Sequence, residues 1–137
     1  MKKNIFFLVP AFLFTFFFLA SCNKDDTNTS GTSANVQGKW TGVYTPPLGP
    51  SPYYALTFNS NGTVLVEQRD MAAPDVATGT WTISGNNINA TYTFTGAMTG
   101  TFSIAGTYNA TTAPAKITGT IGSGAATSGV ATFSVSK

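Results

Sequence analysis

The chain has 137 residues, 42% hydrophobic and 9% charged, with seven basic residues against five acidic, one cysteine and no histidine. Histidine-based acid and base catalysis and ordinary zinc sites are therefore excluded within one chain, and a lone cysteine has no internal disulfide partner. Charge so sparse and so nearly balanced offers no electrostatic footprint for nucleic acid.

The first element is an export signal. Met1, Lys2 and Lys3 open the chain with positive charge, and Ile5 to Ala20 form an almost unbroken apolar run holding seven of the eleven phenylalanines. As a helix this run would span roughly 24 Å, short of the roughly 30 Å of a hydrocarbon core. Pro10 weakens it further as a permanent span. The pattern predicts a cleaved signal peptide over residues 1–21. Without Lys2 and Lys3 the mature chain carries five basic residues against five acidic.

Leu19-Ala20-Ser21-Cys22 resembles the lipobox of bacterial lipoproteins. The resemblance implies that the Cys22 sulfur receives a diacylglyceryl group, that cleavage falls before it, and that the new amine is acylated. Lipidation also accounts for the leftover thiol. At about 0.8 kcal/mol per buried methylene, two or three acyl chains on one residue make a durable anchor where one chain would not. Asn23-Lys24-Asp25-Asp26 resembles the surface-export signal of Bacteroidota lipoproteins, which implies that Lys24, Asp25 and Asp26 direct the chain to the cell surface. The plainer alternatives are a solvated charged tether and the periplasmic face.

Residues 22–35, apart from the cysteine, are polar, small and aperiodic, and read as a flexible tether reaching roughly 20 Å. Residues 36–137 form one small domain with a single modest core. β-Preferring residues dominate it, and no window carries a helical apolar stripe. Eight strands are predicted: 39–45, 53–59, 63–69, 78–84, 87–95, 100–108, 115–121 and 130–136. Alternation assigns a buried face to Trp40 and Tyr44, to Tyr54, Leu56 and Phe58, to Trp81 and Ile83, to Ile88, Ala90, Tyr92 and Phe94, to Phe102 and Ile104, and to Phe133 and Val135. The third strand is ambiguous, because Val64, Leu65 and Val66 are consecutive. Asn59-Ser60-Asn61-Gly62 and Ser84-Gly85-Asn86-Asn87 read as hairpin turns. Longer connections are expected at 46–52, 70–76, 109–114 and 122–129.

Thr78-Gly79-Thr80-Trp81-Thr82-Ile83-Ser84-Gly85 is echoed by Thr99-Gly100-Thr101-Phe102-Ser103-Ile104-Ala105-Gly106. The offset matches one hairpin, so repeated strand geometry accounts for it better than a repeated site. Asn61-Gly62-Thr63, Asn89-Ala90-Thr91 and Asn109-Ala110-Thr111 match the glycosylation triplet and read most simply as Thr-rich β sequence.

Gly38-Lys39-Trp40, then Leu56-Thr57-Phe58 leading into Asn61-Gly62-Thr63-Val64, and Gly79-Thr80-Trp81-Thr82-Ile83 resemble the lipocalin-like domains of Bacteroidota lipoproteins. The resemblance implies an all-β, small antiparallel, roughly eight-stranded up-and-down barrel, with Trp40 as a structural plug at its closed end. Where lipocalins place an arginine near the end of the last strand to stack on that tryptophan, this chain has Lys137. An immunoglobulin-like β-sandwich is the rival architecture.

For chemistry, Glu67, Asp70 and Asp75 cluster near Arg69, and paired carboxylates or a calcium site need such oxygens to converge. Their commoner role is a solvated hairpin rim. Tyr53, Tyr54 and the proline-rich segment 46–52 are candidates for a ligand-binding pocket mouth, against a plainer role of Tyr54 in the core with Tyr53 half-buried. The glycine-rich stretch 119–129 precedes a strand, not a helix, and so makes no phosphate cradle.

The expectation is a lipid-anchored lipoprotein of the outer membrane, on the cell surface, whose barrel binds a small apolar or sugar-like ligand or an envelope protein partner. No catalysis, cofactor, metal or nucleic-acid partner is expected. A ligand-free structural or host-contact surface protein is the second reading, which a filled barrel interior would favour. A carboxylate-based enzyme is the third.

Overall fold

A computed structural model describes residues 33–137, so the expectations for the signal peptide, for Cys22 and for Lys24, Asp25 and Asp26 lie outside the described residues. A single helical turn, α1 (Ser33–Val36), leads into eight strands: β1 (Gly38–Thr45), β2 (Tyr53–Phe58), β3 (Thr63–Arg69), β4 (Asp75–Ser84), β5 (Asn87–Thr95), β6 (Thr99–Asn109), β7 (Lys116–Ser123) and β8 (Ala131–Ser136). Every strand pairs antiparallel with its neighbour in sequence, and β8 returns to β1 with Thr41 opposite Ser136 and Thr45 opposite Thr132. This closed up-and-down barrel rules out the sandwich, whose two sheets would leave edges unpaired.

The alternation of side chains explains the closure. Along β5 the pattern is strictly periodic, with Ile88, Ala90, Tyr92 and Phe94 buried and the Asn and Thr residues between them exposed. In β3 the ambiguity resolves with Val64, Val66 and Gln68 inward and Leu65 and Glu67 outward. Gly119 is required inside by close approach: a Cβ there would fall 2.8 Å from Phe133 Cε1 and nearer still to the Ala105 carbonyl oxygen. The Phe133 ring thus occupies space that the neighbouring strands leave by lacking side chains.

Both predicted hairpins form, with Gly62 and Gly85 at positive φ of 81° and 58°. Two of the Asn-x-Thr triplets prove to be turn devices. Asn61 Oδ1 accepts from Thr63 N at 3.0 Å and Oγ1 at 2.7 Å, and Asn109 Oδ1 accepts from Thr111 N at 2.9 Å and Oγ1 at 2.7 Å. The third triplet lies within β5.

Some boundaries differ from the sequence reading. β4 begins at Asp75 and not at Thr78, because Asp75, Val76 and Ala77 pair with Gln68, Glu67 and Val66. β7 runs to Ser123, where it still pairs with Phe102. Residues 33–35, expected as tether, belong to α1. The echoed octapeptides fall on β4 and β6, but Trp81 shares a rung with Ala90 and Ile104, whereas Phe102 shares one with Tyr92 and Gly79. The echo therefore marks strand periodicity at two different heights in the barrel.

Candidate functional site

The up-and-down order gives the barrel two unlike ends. The base collects α1, the β2–β3, β4–β5 and β6–β7 turns and Lys137; the mouth collects the β1–β2, β3–β4, β5–β6 and β7–β8 connections. At the base Trp40 is buried, its Nε1 donates to the Val36 carbonyl at 2.6 Å, and its ring meets Tyr108 edge-on with centroids 5.9 Å apart. Lys137 Nζ lies 5.6 Å from the Trp40 ring centroid and also donates to the Gln37 carbonyl. A lysine thus occupies the place where the lipocalin pattern has an arginine, with cation–π attraction to the same ring. Trp81 closes the adjacent flank, packed on Phe58 and donating from Nε1 to the Asn59 carbonyl at 3.0 Å.

Above this base the interior is filled by side chains up to a pair of phenols. Tyr54 is fully buried, and its hydroxyl bonds that of Tyr92 at 2.9 Å across the barrel. Burial pushes the Tyr54 hydroxyl well above its ordinary pKa, and burial likewise pushes Tyr92 up to about 12. Both phenols are therefore neutral donors and acceptors at any physiological pH.

Between that floor and the mouth lies a cup of about 180 Å³, its walls including Tyr44, Tyr92, Phe102, Ile121 and Ala131. Tyr92 stacks on Phe102 with centroids 6.2 Å apart and planes at 25°. One buried polar side chain enters it: Gln68, 7% exposed, whose Nε2 donates to Met98 Sδ at 2.8 Å. A thioether is a weak acceptor. The amide is thus held by a soft, flexible side chain that reaches in from the β5–β6 connection. No ionised group lines the cup, so its walls offer no compensation for burying a charge.

The candidates from sequence are not brought together. Tyr54 contributes to the floor through Tyr92, while Tyr53, next along the strand, is half-buried on the outer wall beside Lys39. Glu67 Oε2 pairs with Lys39 Nζ at 2.6 Å, and this contact raises the Lys39 pKa. Asp75 Oδ2 pairs with Arg69 Nη1 at 3.0 Å, and Asp70 Oδ1 caps its own turn by accepting from Ala72 N at 2.8 Å. Each carboxylate has a different partner, and among the described residues no three metal-binding side chains converge. The proline-rich β1–β2 connection holds Leu48 out at 90% exposure near the mouth.

Sequence reasoning missed Gln68, Met98 and the grouping of Tyr44 with Phe102. The signal for Gln68 was present, because extending the Val64–Val66 alternation by one step puts an amide on the inner face. Comparisons with protein-family models, with curated proteins and with solved structures found no match. The closed, eight-stranded up-and-down barrel is consistent with a lipocalin-like domain.

Proposed function

We propose that the chain is a lipid-anchored envelope lipoprotein whose barrel binds a small, neutral, apolar group at its mouth. The observation that carries this is the cup of about 180 Å³ with aromatic walls and a single buried amide. Pockets for drug-sized ligands run from about 300 to 1,000 Å³, whereas an apolar cavity of about 150 Å³ takes up benzene. The cup therefore suits a single ring or a short branched chain, either free or as the side chain of an envelope partner. Gln68 supplies the one directional contact, exchanging Met98 for a better acceptor or donor on the ligand. The proposal includes no catalytic role, because the acidic side chains of the barrel are committed to Lys39, Arg69 and a turn amide.

The anchor and the cup fit one orientation. β1 runs from base to mouth, so the chain enters the barrel at the base and a lipid on Cys22 would leave the mouth facing away from the membrane. Lys24, Asp25 and Asp26, by their resemblance to an export signal, put this assembly on the outer surface. The second reading, a ligand-free surface protein, draws on the filled interior below the Tyr54–Tyr92 pair. Native mass spectrometry of the protein purified without denaturation, beside an Ala131→Phe variant that fills the cup, separates the two.

A further inference from the structure

From Val76 to Ser136 the only charged residue is Lys116, exposed at the base end of β7, so the rest of the outer wall over the paired stretches of β4 to β8 is uncharged, while Lys39, Glu67, Arg69 and Asp75 gather around β1, β3 and the start of β4. Register turns this composition into rows. One runs across the strands as Thr82, Asn89, Ala105, Thr120 and Thr132, and the next as Ser84, Asn87, Thr107, Thr118 and Ser134. Ala105 is the short member of its row. Around it a shallow, open depression of about 370 Å³ is bounded by Asn87, Asn89, Thr107 and Thr118. A second, of about 130 Å³, continues over Thr80, Thr82 and Thr91, and Asn89 borders both.

The hydroxyls of this wall are not equivalent. Toward the mouth they satisfy one another, with Thr91 to Ser103 and Thr93 to Thr101 each at 2.9 Å, and Ser103 donating to the Gly124 carbonyl at 2.7 Å. The side chains of Asn87, Asn89, Thr107 and Thr118 make no hydrogen bond to the described residues. Each Asn amide offers a donor and an acceptor side by side, the arrangement that matches vicinal hydroxyls. The Ala105 methyl supplies an apolar spot for C–H groups between them.

We infer that this groove is a binding site for a stretch of uncharged polysaccharide delivered from solution. The chain would lie across β4 to β7, where strands spaced about 4.8 Å apart repeat at close to the length of one pyranose residue. Both depressions are open, so the middle of a chain can bind without an end entering. The residues lining both depressions carry no charge, so they offer an acidic polymer no ion pair to offset its desolvation, whereas a neutral polyol can use their hydrogen-bonding groups in full. This site is separate from the mouth, so its failure and that of the cup are read by different ligands.

The test is calorimetric titration of the purified full chain with neutral glucohexaoses of β-1,4, β-1,3 and α-1,4 linkage, and with polygalacturonate. Saturable binding of at least one neutral hexaose, with polygalacturonate ignored, is the expected result. Asn87→Ala with Asn89→Ala should weaken it by about tenfold or more without moving the melting temperature. Ala105→Ile, a substitution suited to a strand, fills the dip and should do the same. Absence of binding by the unaltered protein, equal binding of the acidic polymer, or binding undiminished in either folded variant would overturn the inference.

Discussion

Trp40 shows how a single side chain sets a boundary condition for the whole barrel. Its ring is buried at the base, its Nε1 ties it to the Val36 carbonyl, and Lys137 lies near the ring. Trp40→Ala should cost about 3–5 kcal/mol in denaturant unfolding, as buried aromatic truncations do. Lys137→Met should cost only about 0.5–1 kcal/mol, the range of an exposed cation–π contact. A Trp40→Ala variant as stable as the parent would place that ring outside the core.

The phenol pair makes a prediction of opposite kind, about pH. Tyr92 has its pKa raised from 10.0 to about 12 and Tyr54 is raised well above 10.0, both chiefly by burial. The folded state therefore holds these protons more tightly than the unfolded chain. Stability is fully retained below about pH 10 and declines as pH climbs through 12, by roughly 2–3 kcal/mol from Tyr92 alone. Absorbance titration should show two tyrosines that ionise only as the circular dichroism of the barrel is lost. Ionisation of all five tyrosines ahead of unfolding would contradict this account of the floor.

Strands and hairpins were the most legible features, because their signals are local. Period-two alternation assigned the inner faces of Trp40, Tyr54, Tyr92, Phe102 and Phe133, and Asn-Gly chemistry located the turns. The start of β4 was not legible, since Asp75 and Val76 continue a segment with a loop's composition and are drawn into the sheet, with Ala77, by pairing with β3. The cup was less legible still. Which inner residues meet at the mouth depends on the stagger between strands, a property of closure that no one strand encodes. Gly119 illustrates the same dependence on neighbours: it reads as an ordinary weak point in a strand, yet its missing Cβ makes room for Phe133 from β8. Gly119→Ala should destabilise by about 1–3 kcal/mol through overpacking, measurable as a lowered denaturation midpoint with an unchanged slope.

At the scale of the molecule, the two ends divide the labour that the sequence foreshadowed. The base receives the chain and is closed by aromatic packing; the mouth opens on an aromatic-walled cup with no ionised lining, while Arg69, Asp70 and Asp75 lie at its rim. If lipid on Cys22 holds the base toward a membrane, Cys22→Ser should move the protein from the membrane fraction to the soluble fraction. Replacing Lys24, Asp25 and Asp26 by alanine should protect the barrel from protease added to intact cells. Membrane retention of the serine variant, or unchanged cleavage of the alanine variant, would reject the anchor or the export signal respectively.

The cup at the mouth is where the functional proposal stands or fails. Native mass spectrometry of the undenatured protein should reveal, or after exposure to single-ring neutral compounds should acquire, one bound apolar molecule per barrel. Ala131→Phe should abolish that mass increment while the barrel stays folded. A protein that carries nothing and takes up none of these compounds, or a filled-cup variant that binds them as well as the parent, would contradict the proposal.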